Sequence, residues 1–211
     1  MHGMKKAIFL DKDGTLIEDV PYNCDVNLIR LLPGAGDGLR RLQAAGYRLI
    51  VVSNQPGVAH GYFPNDALGP VESALRSLLA DEAIRLDGFY YCPHHPDGRL
   101  AAYAMACDCR KPSPGLLIQA ASDYGVDLHR SWMIGDILHD VEAGRRAGCR
   151  TILIDNGHET EWVGGIHRCP HAMAADIAAA ADIILTFDSR FVIPQMDDMI
   201  AARSDGTPYG S

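Results

Sequence analysis

The stretch that most constrains this chain is residues 7–15, AIFLDKDGT. Four apolar residues run straight into Asp11-Lys12-Asp13-Gly14-Thr15. The apolar run is too short for a helix and reads as a strand buried on both faces of a parallel sheet. The two carboxylates therefore stand where the strand ends, and open α/β sheets bind ligands just beyond the carboxyl ends of their strands. With Asp11 and Asp13 two residues apart, one carboxylate can hold a hard cation and attack an electrophile while the other handles a proton. Gly14 lets the backbone turn so that nearby N–H groups can face an anion.

The rest of the chain alternates strand and helix patterns. Apolar spacing predicts helices over 34–45, 66–83, 113–124 and 141–147, and strands over 48–52, 88–91, 131–134 and 151–154. Gly46 and Gly148 read as C-terminal caps, and Pro112 and Pro114 open the third helix. Residues 172–181 read as a helix, 183–187 as a sixth strand, and the polar, Gly-rich stretch from Ser204 as a frayed tail. The alternation predicts one domain over 1–211 with a doubly wound, Rossmann-like parallel sheet. It would carry one small loop insertion, over 92–109, and no large cap domain.

A chain of 211 residues, 47% hydrophobic, is long enough to bury roughly 70% of its unfolded surface. Its net charge of −8 leaves no basic footprint for nucleic acid or an anionic membrane. The opening MHGMKK lacks the apolar stretch of a signal peptide, and no apolar run is long enough to span a bilayer. The expected compartment is the cytoplasm, where thiols stay reduced, so the six cysteines read as metal ligands or small buried side chains.

Four loops carry polar groups to one end of such a sheet. Asp11 and Asp13 follow the first strand, Ser53 and Asn54 the second; Arg110 and Lys111 precede a helix, and Asp136 and Asp140 follow the fourth strand. Convergence of carboxylates, a hydroxyl and cations is what phosphoryl transfer requires, because positioning and charge neutralisation supply most of its catalysis. Within 92–109, Cys92-x-His94 and Cys107-x-Cys109 have the composition of a closed tetrahedral Zn²⁺ site, with His95 as an alternative to His94. A closed site has no open position, so its role would be structural: to pin the loop and place Arg110 and Lys111. Cys169 and His171 form a weaker candidate pair, and Cys24 and Cys149 read as core residues.

In order and in context, Asp11-x-Asp13-Gly14-Thr15, Ser53, Lys111 and Gly135-Asp136-x-x-x-Asp140 resemble the motifs of the haloacid dehalogenase superfamily, mostly Mg²⁺-dependent phosphatases. The resemblance implies that Asp11 is the nucleophile, forming an aspartyl-phosphate, and that Asp13 protonates the leaving alcohol and then activates water. It implies that Ser53 and Lys111 hold the phosphoryl group. Asp11, the Asp13 carbonyl and Asp136 would bind Mg²⁺, with Asp140 orienting its neighbours. Cys-Pro-His-His-Pro, Cys-x-Cys-Arg-Lys-Pro and the 19–22 stretch are similar to the D-glycero-D-manno-heptose 1,7-bisphosphate 7-phosphatase family. That family implies loss of the C7 phosphate from a small phosphorylated sugar. Asp19, Val20, Pro21, Tyr22, Ser53, Asn54, Gln55, Arg110 and Lys111 would contact the substrate, and Zn²⁺ would sit at Cys92, His94, Cys107 and Cys109. A monomer is expected. Two positions depart from the family: Ile137 stands where Lys is frequent, and His139 reads as an exposed helix-start residue. Residues 158–173, rich in Gly, His and Cys, carry no functional reading. The competing readings are a histidinol-phosphate phosphatase, whose pocket should favour an acidic group for the substrate amine, and a non-enzymatic zinc-loop binding module.

Overall fold

An apolar strand covered on both faces needs helices above and below it, and the computed structural model, which describes residues 5–190, provides them. Strand β1 (Lys6–Leu10) lies inside a six-stranded sheet with β2 (Tyr47–Asn54), β3 (Gly88–Cys92), β4 (Trp132–Gly135), β5 (Arg150–Ile154) and β6 (Ala172–Ala174), in the order β3-β2-β1-β4-β5-β6. Every pairing is parallel. The helices are α1 (Ala35–Ala44), the single turn α2 (Gly57–His60), α3 (Leu68–Asp81), α4 (Gly115–Tyr124), α5 (Leu138–Ala147) and α6 (Ile177–Arg190).

Side-chain alternation along β1 divides the core in two. Ile8 and Leu10 point to one face, where Leu39 and Leu42 of α1, Leu75 and Leu79 of α3 and Ile184 of α6 cover them. Ala7 and Phe9 point to the other, beneath Leu117 and Ala120 of α4 and Ala143 of α5. All four β1 residues from Ala7 to Leu10 are fully buried. The chain reverses its winding direction between β1 and β4, and the carboxyl ends of these neighbours form the switch-point crevice where such sheets bind ligands.

The predicted doubly wound sheet is present, and Gly46 (φ 84°) and Gly148 (φ 91°) supply the left-handed turns that end α1 and α5. The C-terminal elements differ from expectation. Residues 172–174, read as helix from their alanines, pair with β5 as an edge strand, whereas 183–187, read as strand from their apolar run, lie within α6. Ile177, Ala180, Ala181 and Ile184 are buried at helical spacing, and the side chain of Asp176 caps the helix by accepting the Ala179 N–H at 2.7 Å. Packing against α1, where Ile177 leaves no room for a side chain at Gly38, outweighs the strand propensity of Ile183 and Ile184. His139, expected to be exposed, is half-buried at the start of α5. The tail from Ser204 lies outside the described residues. Among the described residues no helix is long and apolar enough to cross a membrane.

A strand would put residues 182 and 184 on one face; the helix separates them. Ile184→Ala should therefore cost about 2–5 kcal/mol of stability. Asp182→Ala, which removes only an exposed ion pair with Arg41, should leave the urea midpoint nearly unchanged.

Candidate active site

Backbone pairing places the carboxylates. The amide of Asp11 continues the β1–β4 ladder by donating to the Ile134 carbonyl at 2.9 Å, so Asp11 stands on the last rung of the sheet, buried. Lys111 reaches it from the loop before α4. Its fully buried ammonium lies 2.5 Å from Asp11 Oδ1, 2.5 Å from Asp140 Oδ1 and 3.0 Å from the Val52 carbonyl. Burial alone would pull this ammonium down, but the carboxylates of Asp11 and Asp140 outweigh it and hold Lys111 above its ordinary value. The other oxygen of Asp140 accepts the Ile137 N–H at 3.3 Å at the start of α5, so both oxygens of Asp140 are engaged inside the protein.

Asp13, half-buried, ion-pairs with Lys12 and accepts a hydrogen bond from Gln55 Nε2 at 3.1 Å. Burial raises its carboxyl above the usual range against the pull of Lys12, and Asp11 adds to the rise. Gln55 Nε2 also donates to Ser53 Oγ at 2.8 Å, which leaves the buried Ser53 hydroxyl its proton to donate elsewhere. Asp136 follows β4. Its Oδ1 accepts from Thr15 Oγ1 at 3.0 Å and its Oδ2 lies 2.6 Å from His158 Nδ1. Burial, then the charge of Asp11, pushes Asp136 up to about 6. Gly14 is required here by both its φ of 77° and its space, since a Cβ would come within 2.2 Å of Asp136 Oδ2.

Asp11, Asp136 and Asp140 each offer an oxygen within 4.8 Å of the others. Three buried carboxylates facing one ammonium leave an excess of negative charge, and the hard oxygen donors suit Mg²⁺. Because Asp140 is committed to Lys111 and to α5, Asp11 and Asp136 are the better metal-facing pair.

The second cluster closes beside β3. Cys109 Sγ lies 3.1 Å from Cys92 Sγ and 3.2 Å from Cys107 Sγ, Cys92 and Cys107 are 3.5 Å apart, and His94 Nδ1 is 3.4 Å from Cys109 Sγ. These spacings are too long for a disulfide, whose S–S bond is about 2.05 Å. They approach the roughly 3.8 Å sulfur–sulfur edge of a tetrahedron with Zn–S bonds of about 2.3 Å. His94, rather than His95, faces the sulfurs; His95 Nδ1 accepts the Asp97 N–H at 3.1 Å. His171 is occupied with Thr151, and Cys149 is buried in the core.

The remaining expected residues surround this end of the sheet. Arg110, half-buried next to the cysteine cluster, reaches the His94 carbonyl at 3.4 Å. Asp19, Pro21 and Tyr22 are exposed and Val20 is half-buried. Asn54 clamps the Lys111 backbone: its Oδ1 accepts the Lys111 N–H and its Nδ2 donates to the Lys111 carbonyl, both at 3.0 Å.

Several contacts escaped the sequence reading. Lys12, between the two aspartates, is buried rather than solvated. Asn156 Nδ2 donates to the Gly14 carbonyl at 2.6 Å, His158 meets Asp136, and Glu159 Oε2 accepts the Leu138 N–H at 2.6 Å. The loop after β5 thus ties the first acidic loop to α5. Its position just past a strand's carboxyl end was the available signal.

Residues 108–180 match the HAD-hydrolase-like family model. The D-glycero-beta-D-manno-heptose-1,7-bisphosphate 7-phosphatase of Pasteurella multocida (strain Pm70) is 43% identical over 155 residues, covering 73% of this chain and 84% of its own. The protein of the same name from Escherichia coli (strain K12) is 40% identical over 152 residues, covering 72% and 80%. The crystal structure of D,D-heptose 1,7-bisphosphate phosphatase from B. bronchiseptica, complexed with magnesium and phosphate, superposes with a TM-score of 0.74 at 32% identity, covering 86% of this chain and 99% of that one.

Asn54→Ala would leave both backbone groups of Lys111 without their partner. We expect a loss of about 1–3 kcal/mol in urea unfolding, with Asn54→Asp, which keeps the acceptor, falling between it and the wild type.

Proposed function

Since the chain belongs to the haloacid dehalogenase-like phosphatase family, we propose that it hydrolyses the C7 phosphate of D-glycero-D-manno-heptose 1,7-bisphosphate, with Asp11 as nucleophile. The observation that carries the reading is the buried carboxylate of Asp11, held at the tip of β1 by Lys111, with Ser53, Asp13 and Asp136 at the same end of the sheet. The substrate comes from the relatives' names, which specify the β-anomer.

In the first step an oxygen of Asp11 attacks phosphorus and the bond from phosphorus to the sugar oxygen breaks. Asp13 gives its proton to the departing alkoxide; the raised affinity of its buried carboxyl for a proton suits that task. In the second step Asp13 takes a proton from water, the resulting hydroxide attacks phosphorus, and Asp11 is released with inorganic phosphate. One water is consumed and one alcohol and one phosphate are formed. Lys111 neutralises charge at Asp11 and on the phosphoryl oxygens, and Ser53 donates its hydroxyl to one of them. Lys12 and Gln55 hold Asp13 in place. Asp11 and Asp136 would hold Mg²⁺, together with the Asp13 carbonyl; when bound, the ion supplies positive charge against the phosphoryl oxygens.

Cys92, His94, Cys107 and Cys109 would hold a structural Zn²⁺ that fixes the strap leading into Arg110 and Lys111. Arg110 would grip the substrate with its planar guanidinium. The reading also carries a cytoplasmic monomer.

Asp11→Asn should lower kcat at least a thousandfold with an unchanged fold by circular dichroism. In the wild type, phosphate release from the heptose bisphosphate should outpace release from histidinol phosphate; the reverse order refutes the substrate. Metal analysis should find one zinc per chain. Cys107→Ser should lose it and unfold at lower temperature; zinc-free wild type would refute the site.

A further inference from the structure

Asp136 receives donors from two separate loops. Thr15, in the first acidic loop, donates its hydroxyl to Oδ1 at 3.0 Å. His158, from the loop after β5, places Nδ1 2.6 Å from Oδ2. An ionised carboxylate only accepts, so this contact puts a ring proton on Nδ1. With a donor on each oxygen, the carboxylate cannot turn about its Cβ–Cγ bond without breaking one of the two. The residue that follows, Ile137, has no polar side chain to share the task.

The loop after β5 is built to hold the imidazole there. Asp155 still belongs to the sheet edge, its amide donating to the Ala174 carbonyl at 2.9 Å. Asn156 then bonds in two directions: Nδ2 donates to the Gly14 carbonyl at 2.6 Å, and Oδ1 accepts the His158 N–H at 3.2 Å. One residue past the histidine, Glu159 Oε2 accepts the amide of Leu138, the first residue of α5, at 2.6 Å. Its Oε1 accepts the amides of Glu161 and Trp162 at 2.9 and 3.3 Å. His158 is thus pinned from both sides, once to the loop that carries Asp13 and once to the helix that follows Asp136. The ring lies against Gly14, where a Cβ would come within 2.4 Å of Nδ1. The His158 side chain is 39% exposed, so little apolar area leaves water and core packing does not account for the anchoring. Orientation of Asp136 does.

We propose that His158 is a positioning residue for Asp136: its hydrogen bond fixes the carboxylate beside Asp11, and so sets how tightly this pair holds a divalent cation. Groups that ligate a metal are themselves held by donors and acceptors behind them, and removing one such partner costs roughly 10–100-fold in metal affinity. The proposal rests on the functional reading above, in which Asp11 and Asp136 are the metal-facing pair, and extends it to a loop outside the acidic motifs.

The test measures Mn²⁺ binding by electron paramagnetic resonance and Mg²⁺ binding by titration calorimetry, with no substrate present. It uses the full-length chain dialysed against magnesium-free buffer, as wild type, His158→Ala, His158→Asn and Asp136→Asn. His158→Ala should weaken both cations by about tenfold or more. His158→Asn, whose amide nitrogen can stand where Nδ1 stands, should recover most of that loss without an imidazole. Unchanged or tighter binding in His158→Ala overturns the proposal. Thermal unfolding of the cation-free proteins separates orientation from stability: a purely structural histidine would lower the unfolding temperature and leave the affinity alone. Where His158→Ala both unfolds early and binds weakly, His158→Asn decides, since affinity that stays low in a stable Asn variant overturns the proposal. Asp136→Asn should abolish binding. If it binds like the wild type, the metal-facing pair is wrong and the proposal falls with it; if it loses the cation while His158→Ala keeps it, the pair stands and only the role of His158 falls.

Discussion

A lysine ammonium taken out of water is tolerable only against carboxylates, and Lys111 is enclosed by Asp11 and Asp140. This buried triad joins parts of the chain that are far apart in sequence: the tip of β1, the exit of the cysteine loop and the first turn of α5. Each partner is itself fixed, Asp11 by the sheet ladder, Lys111 by the two hydrogen bonds of Asn54, and Asp140 by the Ile137 amide. A shift in any of the three elements would leave a buried charge uncompensated, so the placement of the Asp11 carboxylate and the stability of the fold depend on the same contacts.

The triad does not balance the site. Asp11, Asp13, Asp136 and Asp140 face two buried lysines, and Asp136 is pushed up to about 6 by burial and by Asp11. Crowded carboxylates of this kind repel one another, and the fold holds them together through close packing: Gly14 leaves no room for a side chain between Asp136 and His158. The loop after β5 presses on this point through Asn156, His158 and Glu159. It gives residues 156–159 a place in the site's architecture.

Rigid strand ends and adaptable loops divide the work. The groups assigned to the chemistry sit within a residue or two of a strand terminus or on a clamped backbone, where geometry is held by the hydrogen-bond ladder. The groups assigned to substrate contact outside the chemistry, Tyr22 and Arg110 among them, come from loops, and the cysteine cluster braces the loop between β3 and α4. A chain with net charge −8 can take an anionic substrate on these terms because its cations are local and buried.

Much of this was legible before any coordinates. The strand-to-carboxylate run at 7–15, the alternation that makes a parallel sheet, and the Cys-x-His and Cys-x-Cys pairs are local patterns, and local patterns are what a sequence states directly. The reading went astray at 172–187, where alanines paired as an edge strand and a β-branched run became the buried stripe of a helix. There packing against α1 and β5 overrode propensity. The chain's own order of residues determined the nature of the chemistry, because spacing along a strand end decides which side chains share a loop. Which groups touch was decided only in three dimensions. Lys111 lies 100 residues from Asp11, and no periodicity encodes its insertion between Asp11 and Asp140, the clamp of Asn54 on its backbone or the press of His158 on Asp136. Those contacts exist because a parallel sheet gathers the ends of distant strands at one edge, where short-range forces between side chains then select the arrangement.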